Sequence, residues 1–250
     1  ASVIQWQWKE DVFPECDQFN GIHEGLVQSW KDIFPKKGEI HFAGALENNE
    51  DTGTLQYLAS TAMEAGFSTR VLDMQALDLQ NGRFFDPAGE LVNRCFKLYP
   101  WEWMVDESPD GCLAEMEWLE PIWKLVMSNK AILATLYELF PDSPYVLPCY
   151  LSRPRSGLFC KKPVFSREGH NVSVVDIRNW EEHVRIAETE GDYNTGAYVY
   201  QEYVEPTVYS GRYPVIGSWI IGGEAAGIGI RENRMEVTDN LSEFVPHIIG

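Results

Sequence analysis

Between residues 39 and 74 the sequence reads strand, helix, strand. EIHFAGA at 39–45 is a short, nearly continuous apolar run, which suits a buried strand. TLQYLASTAMEAG at 54–66 has helical spacing of its apolar residues and ends near a glycine, and STRVLDM at 68–74 is the next strand. Such a βαβ unit demands a parallel pair joined by a right-handed crossover. A further helix is predicted at 22–34, stopped by Pro35.

Beyond this unit the pattern changes. Residues 81–90 are rich in turn formers, 91–99 read as a strand running into Tyr99, Trp101 and Trp103, 105–114 as an acidic loop, and 119–126 as a helix. SNKAILATLYELF at 128–140 predicts an amphipathic helix with Ser128 as N-cap and Pro141 as its stop. Strands are predicted at 158–164, 172–176, 197–204, 213–221 and 225–231, the last two joined across Gly222-Gly223, and a helix at 180–189. The fold class is therefore α/β in the first half and α+β in the second, with domains at 1–125 and 126–250.

Composition narrows the function classes. With 44% hydrophobic residues the chain can build a core, and no apolar run approaches the ~20 residues of a membrane span. A net charge of −18 argues against nucleic acid, which needs a basic footprint. A few placed lysines still suffice for a nucleotide, and an acidic field attracts a cationic amine, although solubility alone explains the charge more simply. The five cysteines are irregularly spaced without a CxxC, so reduced thiols in a cytoplasmic protein are expected rather than disulfides or zinc. The five histidines form no metal-binding pattern.

Four constellations could carry chemistry. Ser128-Asn129-Lys130 opens a predicted helix, where free amides and the dipole favour an anion; the plainer alternative is a surface lysine. CKKPVFSREGHN at 160–171 places two lysines at a strand end before a loop holding Glu168 and Gly169. Alternation turns Lys161 and Lys162 to opposite faces, so one of them can meet a ligand under the loop's amides; the alternative is a basic hairpin. Gln201, Glu202, Tyr203 and Val204 precede Pro206 and could offer backbone groups to an adenine edge, or simply end a strand. Arg231 suits a phosphate oxygen, or a surface pair with Glu232 or Glu236.

In this order the four resemble the ATP-grasp fold. The segments KLYPWEWM at 97–104, EPIWKLVMSNKAILATLYELFP at 120–141, CKKPVFSREGHNV at 160–172, YVYQEYV at 198–204, GSWIIGGEAAGIGIRE at 217–232 and DNLSEFVPHII at 239–249 resemble the glutathionylspermidine-synthetase-like carboxylate–amine ligases. That resemblance implies that Lys130 and Lys162 bind ATP phosphates, that Glu168 and Gly169 lie in a loop over them, and that Gln201 to Val204 hold adenine. It implies that Arg231 faces the transferring phosphoryl group, and that Glu50 and Asp51 hold the amino end of the acid substrate; a solvated first helical turn is the alternative for that pair. Leu98 and Val215 stand where the family has a threonine and a glutaminyl contact, which argues against glutathione as the acid.

The family's arginine, aspartate, glutamate and asparagine that bind magnesium and orient the acid have no match in this chain and are expected upstream of Ala1; Glu224, Asp239 or Asn240 would be the alternative source of metal ligands. The implied reaction joins a small acid to an amine, such as a polyamine, with ATP and Mg2+ as cofactors, through an acyl phosphate. The rival readings are a non-catalytic nucleotide-binding fragment and a plain α/β interaction domain.

Overall fold

The computed structural model of the chain describes residues 2–186, 188–191, 193, 196–238 and 242–250. The backbone gathers into two compact units, one formed by the residues up to Leu125 with 218–228 and 248–250, the other by 126–217 and 229–247.

The first unit opens with α1 (Ser2–Val12), which the apolar pattern did not reveal, followed by α2 (Ile22–Ile33), β1 (Glu39–Gly44), α3 (Asn49–Glu64) and β2 (Ser68–Asp73). β1 and β2 pair in parallel from Glu39↔Ser68 to Gly44↔Asp73, as the βαβ pattern requires. Helix α3 starts five residues before the predicted 54, because Asn48 caps it by accepting the Glu50 amide at 2.9 Å. It ends before Gly66, whose φ of +93° suits the left-handed stop.

The turn-rich stretch forms a small antiparallel sheet of β3 (Asp78–Gln80), β4 (Arg83–Phe85) and β5 (Leu91–Val92). β6 (Arg94–Leu98), α4 (Trp101–Glu107), α5 (Pro109–Cys112) and β7 (Glu117–Leu119) complete the main part of the unit. Three expectations change here. The strand at 91–99 divides between two sheets. The acidic loop at 105–114 is instead mostly helical, anchored by the buried Trp101 and Met104. The helix at 119–126 gives way to β7, a 3-10 turn at Ile122–Lys124 and a short helix, because Trp118 buries its ring against Phe84 and Trp101 at 5.5 and 5.7 Å.

The result is a four-stranded parallel sheet in the order β2-β1-β6-β7. Alternation along β1 divides the core: Ile40 and Phe42 pack with Trp30, Leu55 and Phe67, while Ala43 packs with Cys95, Trp101 and Trp118. Trp30 also donates to the Thr61 hydroxyl at 2.9 Å, fixing α2 to α3. Residues 218–228 and 248–250 join this unit through the carbonyl of Ile228, which accepts from Gln5, and that of Ile249, which accepts from the Asp17 amide.

His41 is 2% exposed, and among the described residues neither ring nitrogen has a partner within hydrogen-bonding geometry; carboxylate oxygens of Glu39 and Asp86 lie 3.7 and 4.0 Å from Nε2. Burial lowers its pKa against the pull of those carboxylates, and burial also lowers that of His247. The unfolded chain therefore takes up these protons first. The contribution is complete well above the ordinary histidine pKa and is lost progressively as pH falls from about 6.5 toward the lowered folded values. The melting temperature is expected to drop between pH 7.5 and 5.5, and His41→Gln to flatten that slope; an unchanged slope would remove His41 as its source.

The second unit follows with α6 (Leu125–Ser128), α7 (Ala131–Leu139), β8 (Cys149–Tyr150), β9 (Gly157–Pro163), β10 (Ser173–Arg178), β11 (Glu181–Ile186), β12 (Tyr198–Glu202), β13 (Tyr213–Ile221), β14 (Glu224–Asn233) and β15 (Glu243–Val245), of which Leu125 and residues 218–228, in β13, β14 and their turn, count with the first unit. Strands β11-β10-β9-β12-β8 form an antiparallel sheet, and Leu133, Ala134 and Tyr137 of α7 cover one face of it at Cys149 and Val199. The helix expected at 180–189 is instead strand β11. Asn179 and Trp180 adopt φ of +54° and +70°, the conformation of a tight hairpin turn, and feed the chain back along β10. The helix expected at 128–140 starts only at Ala131, because Ser128 ends α6 and Lys130 occupies the cap. All five cysteines are free thiols, and Cys95, Cys112 and Cys149 are buried. No helix is long and apolar enough to cross a membrane among the described residues.

Candidate functional site

Lys162 on β9 lies opposite Val199 on β12, and Gln201 lies opposite both Cys160 on β9 and Cys149 on β8. Strand alternation puts all five side chains on the face covered by α7. Lys162 Nζ donates to Gln201 Oε1 at 2.6 Å. Burial pushes the Cys149 and Cys160 thiols up while the Lys162 charge draws them down. Lys161 points to the opposite face, 2.9 Å from Glu182 Oε2 and 4.7 Å from the Tyr198 ring centre. Burial acts to lower the Lys161 pKa, but the hydrogen bond and charge of Glu182 outweigh it and leave it raised. Glu182 accepts from Tyr200 at 2.7 Å as well and pairs with Arg153 at 2.9 Å. The two neighbouring lysines thus differ: one is neutralised by a carboxylate, the other is held by an amide.

Lys130 is fastened to the segment that follows β9. Its amide donates to the Val164 carbonyl at 2.8 Å, and its ammonium donates to the Ser166 carbonyl and, at 2.9 Å, to the Ser166 hydroxyl. Ser166 escaped notice as a site residue, although it lies inside the CKKPVFSREGHNV segment. In the loop itself Glu168, Gly169 and Asn171 have φ of +55°, +75° and +54°. A Cβ at Gly169 would sit 2.1 Å from the Thr238 carbonyl oxygen, so the position needs glycine for space as well as for conformation. The loop is pinned by Thr189, whose hydroxyl donates to the Gly169 carbonyl, and by Asn171, which donates to Glu188 at 3.0 Å and accepts the Tyr193 amide at 2.9 Å.

At the end of β12 the Glu202 amide donates to Pro148 at 2.7 Å and the Tyr203 amide to Leu158 at 3.0 Å, so these two donors are committed within the protein. Tyr203 donates its hydroxyl to Glu236; burial, reinforced by that carboxylate, pushes its pKa up. Val204 is exposed. Arg231 on β14, opposite Phe244, is exposed and forms no ion pair with Glu232 or Glu236 among the described residues.

Glu50 and Asp51 belong to the first unit and form the first turn of α3, just beyond the carboxyl end of β1. At the carboxyl end of β6, Lys97 is buried, donates to the Tyr99 carbonyl at 2.7 Å and lies 3.8 Å from the Trp101 ring centre. Burial lowers its pKa to about 8, against the opposing charge of Glu102. Glu224 starts β14, while Asp239 and Asn240 fall outside the described residues. No group of three or more histidine, cysteine or acidic side chains that could hold a metal ion exists among the described residues. A cavity of about 890 Å³ opens at the amino ends of β1, β6 and β7, bordered by His41, Arg94 and Glu117, and no candidate residue lines it.

This mixed α/β architecture, with parallel and antiparallel sheets, is that of an ATP-grasp-type fold. A solved structure described as "Putative gamma-glutamylcysteine synthetase", from Methylobacillus flagellatus, superposes with a TM-score of 0.55 over 98% of this chain and 84% of its own, at 9% identity. The model of the family described as glutathionylspermidine synthase preATP-grasp matches residues 1–250, and the chain belongs to that family. It is 36% identical to a "Putative acid--amine ligase" of Haemophilus influenzae over 99% of its own length and 66% of the relative's. It is 27% identical to trypanothione synthetase of Crithidia fasciculata over 96% and 41% of the two chains, and 25% identical to the bifunctional glutathionylspermidine synthetase/amidase of Escherichia coli over 100% and 44%. The chain therefore spans between about two fifths and two thirds of the length of these relatives, all of which are named as ligases or synthetases.

Proposed function

We propose that the chain supplies the phosphate- and adenine-holding side of an ATP-dependent carboxylate–amine ligase. The observation that carries this reading is the state of Lys162: its charge is held by a neutral amide, with no carboxylate paired to it among the described residues. A positive charge kept in place without being neutralised suits a phosphate. Lys130, tied to the adjoining loop, supplies a second charge, and the glycine loop at 168–169 covers the site. Residues 126–250 would be the nucleotide-binding region and 1–125 the substrate side.

In the proposed reaction a carboxylate takes the γ-phosphoryl group of ATP, releasing ADP and forming an acyl phosphate. An amine then attacks the acyl carbon and inorganic phosphate leaves, giving the amide. The protein's part is to position the reactants and to offset charge, with Lys130 and Lys162 on the phosphates and Arg231 toward the transferring group. Gln201 to Val204 border the base; with the Glu202 and Tyr203 amides committed, that border relies on other groups of the segment. Glu50 and Asp51 would hold the cationic amino end of the acid, and the apolar Leu98 and Val215 favour an acid other than glutathione. Magnesium is the family's expected companion of ATP, and the described residues offer no group of three His, Cys, Asp or Glu side chains to hold it. The free thiols fit a cytoplasmic setting.

Thermal unfolding with Mg-ATP, Mg-ADP and no nucleotide tests the site. At a hundredfold excess over Kd, ATP should stabilise the chain by about 2.7 kcal/mol. An unmoved transition with both nucleotides rejects nucleotide binding. Phosphate release with panels of acids and amines, by the protein that contains this chain, tests ligation. Binding without release from any pair would favour the non-catalytic reading.

A further inference from the structure

We propose that the Gln201 side chain is a positioning residue for Lys162, and that its neutrality is what keeps the lysine available to an anion. This inference rests on the nucleotide reading above but assigns Gln201 a different task from an adenine contact. Around the Lys162 ammonium the sheet offers few acceptors. Its neighbours on the same face are Val199 and the thiols of Cys149 and Cys160, which are weak partners. The amide oxygen of Gln201 is the one strong acceptor bonded to it among the described residues, at 2.6 Å. Gln201 in turn is set on β12 by pairing with strands on both sides, opposite Cys160 and Cys149, so its amide is delivered from a central strand rather than from a loop. Lys161 is the internal control: one position earlier, on the other face, Glu182 neutralises it within a network of Tyr200 and Arg153.

An amide at 201 fixes direction and leaves the full positive charge. A carboxylate there would fix direction and cancel the charge, as Glu182 does for Lys161. ATP binding to the parent, Gln201→Leu, Lys162→Met and the double variant distinguishes this from a base contact. Gln201→Leu, which removes the acceptor without adding charge, is expected to weaken ATP severalfold in the parent and less than twofold in the Lys162→Met background. Gln201→Glu, measured in the parent alone, is expected to weaken ATP at least tenfold, and a loss no larger than that of Gln201→Leu would overturn the role given to neutrality. Should Gln201→Glu fail to fold by circular dichroism, the Gln201→Leu cycle decides. Losses of equal factor with and without Lys162 would mean that Gln201 acts on the base independently, and would overturn the inference while leaving the nucleotide site intact. A folded parent that binds no ATP would overturn the nucleotide reading itself and this inference with it.

Discussion

Phe42→Ala is expected to lower the stability of the first unit by about 3–5 kcal/mol, measured by urea unfolding. Phe42 is fully buried at the centre of β1, one of the two inner strands of the parallel sheet, with ring centres 5.5 Å from Trp30 and 5.8 Å from Phe96. Removing the ring leaves a cavity beneath α2 and α3 that neither helix can fill without losing the Trp30–Thr61 hydrogen bond. A loss below about 1 kcal/mol would mean that the two helices collapse onto the strand and that this core is not tightly packed.

The second large effect concerns ligand rather than fold. Lys162→Met should weaken ATP by roughly a hundredfold, about 3 kcal/mol, because it removes a charge-assisted contact to phosphate. Lys161→Met should change ATP affinity by less than about threefold, since that ammonium is already spent on Glu182. Calorimetry on the two variants side by side reads the contrast. Equal losses would show that the sheet's two faces do not divide the lysines' tasks in this way.

How much of this was legible beforehand varies from element to element. The β1–α3–β2 unit was readable because its apolar runs are local and bounded by Pro35 and Gly66, but the first turn of α3, set by the Asn48 cap, carries no apolar spacing and was missed. The β13–β14 hairpin was readable because Gly222-Gly223 marks its turn. The opposed faces of Lys161 and Lys162 followed from strand alternation alone, and the contacts of both side chains agree with it. Strand β11 was misread because EEHVRI, seen alone, spaces its charges as a helix would; its identity comes from Lys161, Arg153 and Tyr200, which engage Glu182 from elsewhere in the chain. β7 is three residues long and owes its existence to pairing with β6. In the candidate site, residue types were visible but partners were not. Ser166 is 36 positions from Lys130, and Gln201 is 39 from Lys162, so only the fold brings each pair together.

The central place of β1 also bears on how the chain assembles in time. Its pairing with β2 joins Glu39 to Ser68, a loop of 29 positions already shortened by α3, whereas its pairing with β6 joins Gly44 to Leu98 across 54. Closing the longer loop costs more chain entropy before any contact offsets it. Sheet growth should therefore begin at β1–β2, with β6 and then β7 added to an edge already backed by α3. Until β6 arrives, that edge is the surface through which a nascent chain is most exposed to pairing with a neighbour.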